Sequence, residues 1–174
     1  MKNKKYIILD LGNVCLDIDP QAFFKNLNED IEPANSPFWK QQHELECGRL
    51  SEDDFFDYVD LFFNNRHTIH KLKEAYCSII KDEIPGMAQW IKKKKAEGYG
   101  FIMLSDTSAI HIQFTKSKLS YFAEFEERVF SYEVGACKPH KAMYLAVEDI
   151  CGGKPVVFAD DKQINIDGAR DHHW

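Results

Sequence analysis

Three apolar stretches of this 174-residue chain run into carboxylates. Asp10 stands inside the first, Tyr6-Ile7-Ile8-Leu9-Asp10-Leu11, just before Gly12. Ser105-Asp106 ends the second, Phe101 to Leu104. Asp160-Asp161 ends the third, Val156-Val157-Phe158-Ala159. A carboxylate within an apolar run is costly to bury unless it is paired or bound to a cation. Taken singly, an Asp or Ser after a strand reads more simply as a helix N-cap. That reading does not account for Asp10, which lies inside its run. Three acids meeting at one place call for a hard cation, and oxygen ligands suit magnesium.

Runs of this kind suit parallel strands covered on both faces, and Val129 to Tyr132 is a weaker fourth candidate. Ligands bind at the carboxyl ends of strands in an open parallel sheet, so the three polar clusters should converge on one site. Between the runs the period becomes helical. Ser51 is placed to cap a helix, with Asp54 three residues on, and Phe55, Phe56, Val59, Phe62 and Phe63 form one stripe. Leu72, Ala75, Tyr76, Ile79 and Ile80 repeat the pattern. Pro85 opens and Gly98 closes a helix carrying Met87, Trp90 and Ile91. His140 to Ile150 presents Met143, Tyr144 and Val147 on one face. The predicted architecture is an α/β fold, a Rossmann-like parallel sheet flanked by helices. Residues 1–17 and 85–174 should form this core, with 18–84 an inserted all-helical cap that has no strand of its own.

Composition narrows the classes of function. Apolar residues make up 44% and the net charge is −6, so a buried core is available and binding to nucleic acid is disfavoured. No apolar run approaches the ~20 residues of a membrane helix. After the opening lysines, the first apolar run is cut at Asp10, too early for a signal peptide. The five cysteines contain no C-x-x-C pair, which predicts reduced thiols in a cytoplasmic protein.

Four segments, read in order, resemble the haloacid dehalogenase superfamily. Ile8-Leu9-Asp10-Leu11-Gly12-Asn13-Val14 is similar to its first motif and Leu104-Ser105-Asp106-Thr107 to its second. Cys137-Lys138-Pro139 with Tyr144 resembles the third. Phe158-Ala159-Asp160-Asp161, with Asn165-Ile166 and Gly168-Ala169, resembles the fourth. Glu44 to Ser51 is similar to the helical cap of the branch that holds dehalogenases and sugar-phosphate phosphatases. Asp-Leu-Gly-Asn-Val in the first motif points most closely to glucose-1-phosphate phosphatase-like members. The resemblance implies that Asp10 is a nucleophile forming an aspartyl-phosphate. It implies Mg²⁺ held by Asp10, the Gly12 carbonyl and Asp161, with Asp160 as a further ligand or support. Ser105 and the Asp106 N–H would bind phosphoryl oxygens, and Lys138 would offset the negative charge. The implied substrate is a small phosphorylated metabolite.

Two departures qualify the resemblance. Phosphatases of this superfamily carry an Asp two residues after the nucleophile, which protonates the leaving alcohol. Here that position is Gly12. Asp17 or Asp19 could substitute, the leaving group could be an intrinsically good one, or activity could be weak. Dehalogenases also lack that Asp and form a rival reading, which Asp160-Asp161 opposes because displacement at carbon needs no metal. A non-catalytic ligand-binding relative is the third reading. The second departure is the ending: the pattern continues past Gly168-Ala169, whereas this chain stops at Asp171-His172-His173-Trp174. A truncated sheet edge, a frayed tail and an uncovered Trp174 are therefore expected.

Overall fold

The computed structural model describes residues 4–30 and 36–174. Lys2, among the opening lysines, lies outside them. Four parallel strands form the main sheet: β1 (Lys5–Leu9), β4 (Tyr99–Ser105), β5 (Glu127–Phe130) and β6 (Val157–Ala159). Their order is β5-β4-β1-β6, and every neighbouring pair is parallel. Strand residues alternate between two cores, as a two-residue period demands. Ile7, Leu9, Phe101 and Met103 face one side, beside Ile91, Ile112 and Phe125. Ile8, Ile102, Leu104 and Val129 face the other, beside Met143, Tyr144 and Val147. Helices α5 (Met87–Ala96), α6 (Ala109–Lys118), α7 (Ser131–Val134), α8 (Lys141–Cys151) and α9 (Gln163–Asp171) cover these faces. Gly168 permits close approach of α9, because a Cβ there would stand 2.6 Å from the Tyr144 hydroxyl.

Four helices intervene after β1: α1 (Gln21–Leu27), α2 (Phe38–Glu46), α3 (Glu52–Phe62) and α4 (Ile69–Cys77). They gather round their own aromatic core of Phe23, Phe24, Phe38, Phe55, Phe56, Phe63 and Tyr76. Ser51 caps α3 as anticipated, its hydroxyl accepting the Asp54 N–H at 3.1 Å. Two short strands flank the helices, β2 (Leu16–Ile18) and β3 (Ile80–Glu83), paired antiparallel. The expectation of an insert without strands is corrected here. Ile80 extends a helical pattern in sequence, yet it leaves α4 to pair with Ile18. Strands this short carry too few residues for alternation to show.

The tail also differs from expectation. Trp174 packs edge-on against Tyr144 and Phe158, and its Nε1 donates to Glu148 at 2.8 Å. His172 lies 3.3 Å from the same carboxylate. These contacts order the segment, because they anchor it to α8. Among the described residues no helix is long and apolar enough to cross a membrane.

Candidate functional site

Parallel strands that end at one edge deliver their next residues to one place. Asp10 follows β1, Asp106 follows β4, and Asp160 and Asp161 follow β6. Carboxylate oxygens of Asp10, Asp160 and Asp161 all lie within 4.8 Å of one another. Lys138, from the segment before α8, reaches into the same edge. Its Nζ lies 2.9 Å from Asp10 Oδ1 and 2.6 Å from Asp160 Oδ2, and it donates to the Leu104 carbonyl at 3.1 Å. The Lys138 side chain is 1% exposed, so this lysine is part of the interior and not a surface charge.

The two aspartates after β6 are held differently. The Asp160 side chain is fully buried, and its Oδ1 accepts from the Lys162 N–H and Asn165 Nδ2, both at 2.9 Å. Asp161 is exposed, lines the cavity and accepts from Asn13 Nδ2 at 2.9 Å. Asp161 is thus the more available of the pair to a cation, while Asp160 orients Lys138 and Asn165. Asn165 was read only as part of a motif; its placement of Asp160 emerges from the fold.

Electrostatics follow from this crowding. Burial pushes the Asp10 carboxyl up to about 6; Lys138 opposes the rise and Asp160 adds to it. Burial works against the charge of Lys138, but Asp10, Asp106 and Asp160 outweigh it and hold its ammonium above the usual lysine range. Asp106 is raised by burial, with Lys138 opposing. Its Oδ1 accepts the Lys138 N–H at 2.8 Å. Ser105 and Asp106 both line the cavity.

The cavity measures about 630 Å³ and spans both layers. From the sheet edge come Asp10, Gly12, Ser105, Asp106, Lys138 and Asp161. From α2 come Trp39, Gln42, His43 and Glu46. Of the aromatic candidates for the lining, Trp39 is there, while Phe23, Phe24 and Phe38 belong to the helical core. Asp17 and Asp19 do not line the cavity: Asp17 is exposed on β2, and Asp19 accepts the Gln21 N–H at the start of α1. Glu46 and His43 escaped the sequence reading, because helical spacing alone does not tell which polar face looks onto a sheet edge.

The expectation of free thiols is corrected at one pair. Cys47 and Cys137 form a disulfide across a sequence separation of 90, joining the end of α2 to the residue before Lys138. Cys15, Cys77 and Cys151 are free. The pairing is invisible in sequence because only tertiary packing brings the two segments together. The cytoplasmic expectation loses the support it drew from reduced thiols.

Three polar strand ends of one parallel sheet thus meet on one cavity, with Lys138 between their acids. The family model for haloacid dehalogenase-like hydrolases matches residues 4–173, and the chain belongs to that family. No curated protein matches. A haloacid dehalogenase-family enzyme from Bacteroides thetaiotaomicron, solved as a magnesium complex, is 25% identical. That alignment covers 98% of this chain and 90% of the other, with a TM-score of 0.82. A predicted family hydrolase from Porphyromonas gingivalis shares the fold at 21% identity and TM-score 0.79, over 97% of this chain and 87% of the other. L-2-haloacid dehalogenase from Xanthobacter autotrophicus does so at 16% and 0.65, over 97% and 74%.

Proposed function

We propose that this hydrolase is a Mg²⁺-dependent phosphatase of small phosphate monoesters, sugar phosphates among them, with α1–α4 as its cap. The observation that carries the reading is the triad of carboxylates, Asp10, Asp160 and Asp161, crossed by Lys138. A displacement at carbon needs no such metal-ready acidic group. The donor set is all oxygen, which fits magnesium. Asp10, Asp161 and the Gly12 carbonyl would hold the ion, with Asp160 behind them. Bound there, magnesium neutralises phosphate charge so that a carboxylate can approach phosphorus. The Bacteroides relative is solved with magnesium, and also with magnesium and inorganic phosphate.

Each residue then has a task. Asp10 attacks phosphorus and takes the phosphoryl group. Ser105 and the N–H of Asp106 hold phosphoryl oxygens, and Lys138 keeps Asp10 ionised despite its burial. A screen of sugar phosphates and simple monoesters, with Mg²⁺ and with chelator, tests the reading. Phosphate release that needs Mg²⁺ and vanishes in Asp10→Asn is the expected result. Persistence of turnover in Asp10→Asn removes the nucleophile assignment. Gly12 favours one rival, because a halide leaves without a proton; metal-independent chloride release from 2-haloacids would support it.

A further inference from the structure

The phosphatase reading leaves one task undone. An alcohol leaves phosphorus far more readily with a proton, and Gly12 has none to offer. A group for this task must line the cavity, carry a proton near neutral pH and be held in place.

The cavity's ionisable groups are soon sorted. Lys138 is locked between Asp10 and Asp160. Asp106 is turned onto the Lys138 N–H. Asp161 faces the cation position with Asn13. His111 is buried and hydrogen-bonded through Nε2 to the Tyr76 carbonyl at 3.0 Å. His43 is exposed and lies against the disulfide, its Nε2 3.5 Å from Cys47 Sγ. Lys162 is exposed, and among the described residues no ion pair or side-chain hydrogen bond holds its ammonium in place. Glu46 remains.

We propose that Glu46, delivered from the helical cap, is the acid–base group of this active site and fills the role that Gly12 leaves vacant. The proposal rests on the phosphatase reading and adds a catalytic residue from a different layer of the fold. Three features of its setting support it. Its backbone carbonyl accepts from the Ser131 hydroxyl, and that hydroxyl also accepts the Thr107 N–H at 2.9 Å, next to the Ser105-Asp106 strand end. The next residue, Cys47, is covalently tied to Cys137 beside Lys138. Glu46 is therefore fixed to both core segments that surround the phosphoryl position. Gln42 Nε2 donates to Glu46 Oε1 at 2.7 Å, which orients the carboxyl and leaves Oε2 as the oxygen open to a proton. Burial lifts the carboxyl to about 7; Gln42 opposes, Asp106 adds to the rise, Lys162 opposes and Asp10 adds. A general acid works best with a pKa near the working pH.

The step balances. Asp10 Oδ bonds to phosphorus while the P–O bond to the substrate breaks, and the electron pair on the leaving oxygen takes the Glu46 proton. The alcohol departs neutral. Glu46 carboxylate then accepts a proton from water as the water oxygen bonds to phosphorus. The Asp10–phosphorus bond breaks with its pair returning to Asp10. Glu46 is again protonated, and one water has supplied the alcohol proton and the phosphate hydroxyl.

The test compares leaving groups in wild type and Glu46→Gln, in the full chain with its disulfide intact. On alkyl phosphates, Glu46→Gln should lower turnover by ~10²–10⁴-fold. The nitrophenol burst from p-nitrophenyl phosphate should change less than tenfold, since nitrophenolate leaves without a proton. The alkaline limb near pH 7 should vanish from the variant's alkyl-phosphate profile. Adding Gly12→Asp should restore part of the alkyl-phosphate rate; an added Cβ meets only the movable Ile18 side chain, at 3.0 Å. Equal losses on both substrates, or an unmoved limb, overturn the proposal. If wild type releases phosphate from neither substrate, the phosphatase reading fails separately. Carbon-13 titration of the Glu46 carboxyl then still decides: a midpoint near 7 in Mg²⁺ that rises on adding inorganic phosphate supports it, and an ordinary carboxylate midpoint refutes it.

Discussion

Lys138→Met gives a sharp test of how the site is held together. Lys138 is the cation facing two buried carboxylates, at 2.9 and 2.6 Å. Methionine keeps the stem's volume and deletes the charge. Two carboxylates and the Leu104 carbonyl then lose their donor. Breaking a buried pair from one side costs about 3–5 kcal/mol, because the partner is left charged and dry. For a chain of this size each kcal/mol moves Tm by about 2–4 °C, so the drop should reach about 10 °C at pH 8. The sign with pH follows from Asp10, already raised to about 6 by burial with Lys138 opposing. Without Lys138 it rises further. A raised acid destabilises the fold fully above its folded pKa and not at all below its unfolded value near 4. The deficit should thus be largest at pH 8 and shrink steadily toward pH 4.5. Mg²⁺ should recover part of it, since it binds only the folded carboxylates. Urea unfolding of both proteins at pH 8 and pH 5, with and without Mg²⁺, measures all three terms. A deficit below 1 kcal/mol at pH 8, or one that grows on acidification, would refute this account of the cluster.

Three further outcomes are expected. His111 is pushed down to about 4 by burial, with the Tyr76 carbonyl opposing, so the unfolded chain binds its proton first. Stability should fall as pH drops from about 6.5 toward 4, by about 3 kcal/mol at most, and His111→Gln should remove that slope in parallel urea titrations. Thiol counting in denaturant without reductant should find three free cysteines and not five. Because the bridge spans 90 residues, reduction should lower stability by about 2–4 kcal/mol, matched by Cys47→Ser, and an unchanged unfolding curve would rule out the bridge. Gly48 has φ +68° and a Cβ there would stand 2.5 Å from the Tyr132 carbonyl oxygen. Gly48→Ala should therefore lower stability by over 1 kcal/mol and loosen α2 from the core, read by hydrogen exchange at Glu46 and Cys47.

Much of the architecture is legible along the chain. The strand at Lys5–Leu9, the capped helix after Ser51 and the helix after His140 follow from runs and periods within a dozen residues. The sheet-edge residues are legible for a related reason: Asp10, Ser105, Lys138 and Asp160 sit in short motifs that can be read within a few residues of sequence. The strands Leu16–Ile18 and Ile80–Glu83 are not legible, being too short to show alternation. Nor is the anchoring of His172 and Trp174 on Glu148, which depends on α8 lying beside the tail.

The boundary is clearest at the site itself. Residue order along the chain was enough to place acids at three strand ends, with Asp10 inside its apolar run and a glycine two residues on. Those are local statements about one strand and its next few residues. Only the tertiary structure decided which of Asp160 and Asp161 turns inward, that Lys138 is buried between acids, that Glu46 lines the same cavity, and that Cys47 next to it is bridged to Cys137. The reason is distance along the chain. The contact between Glu46 and Ser131 closes a separation of 85 residues, and no local period carries the relative placement of two layers that pack from opposite ends of the sequence.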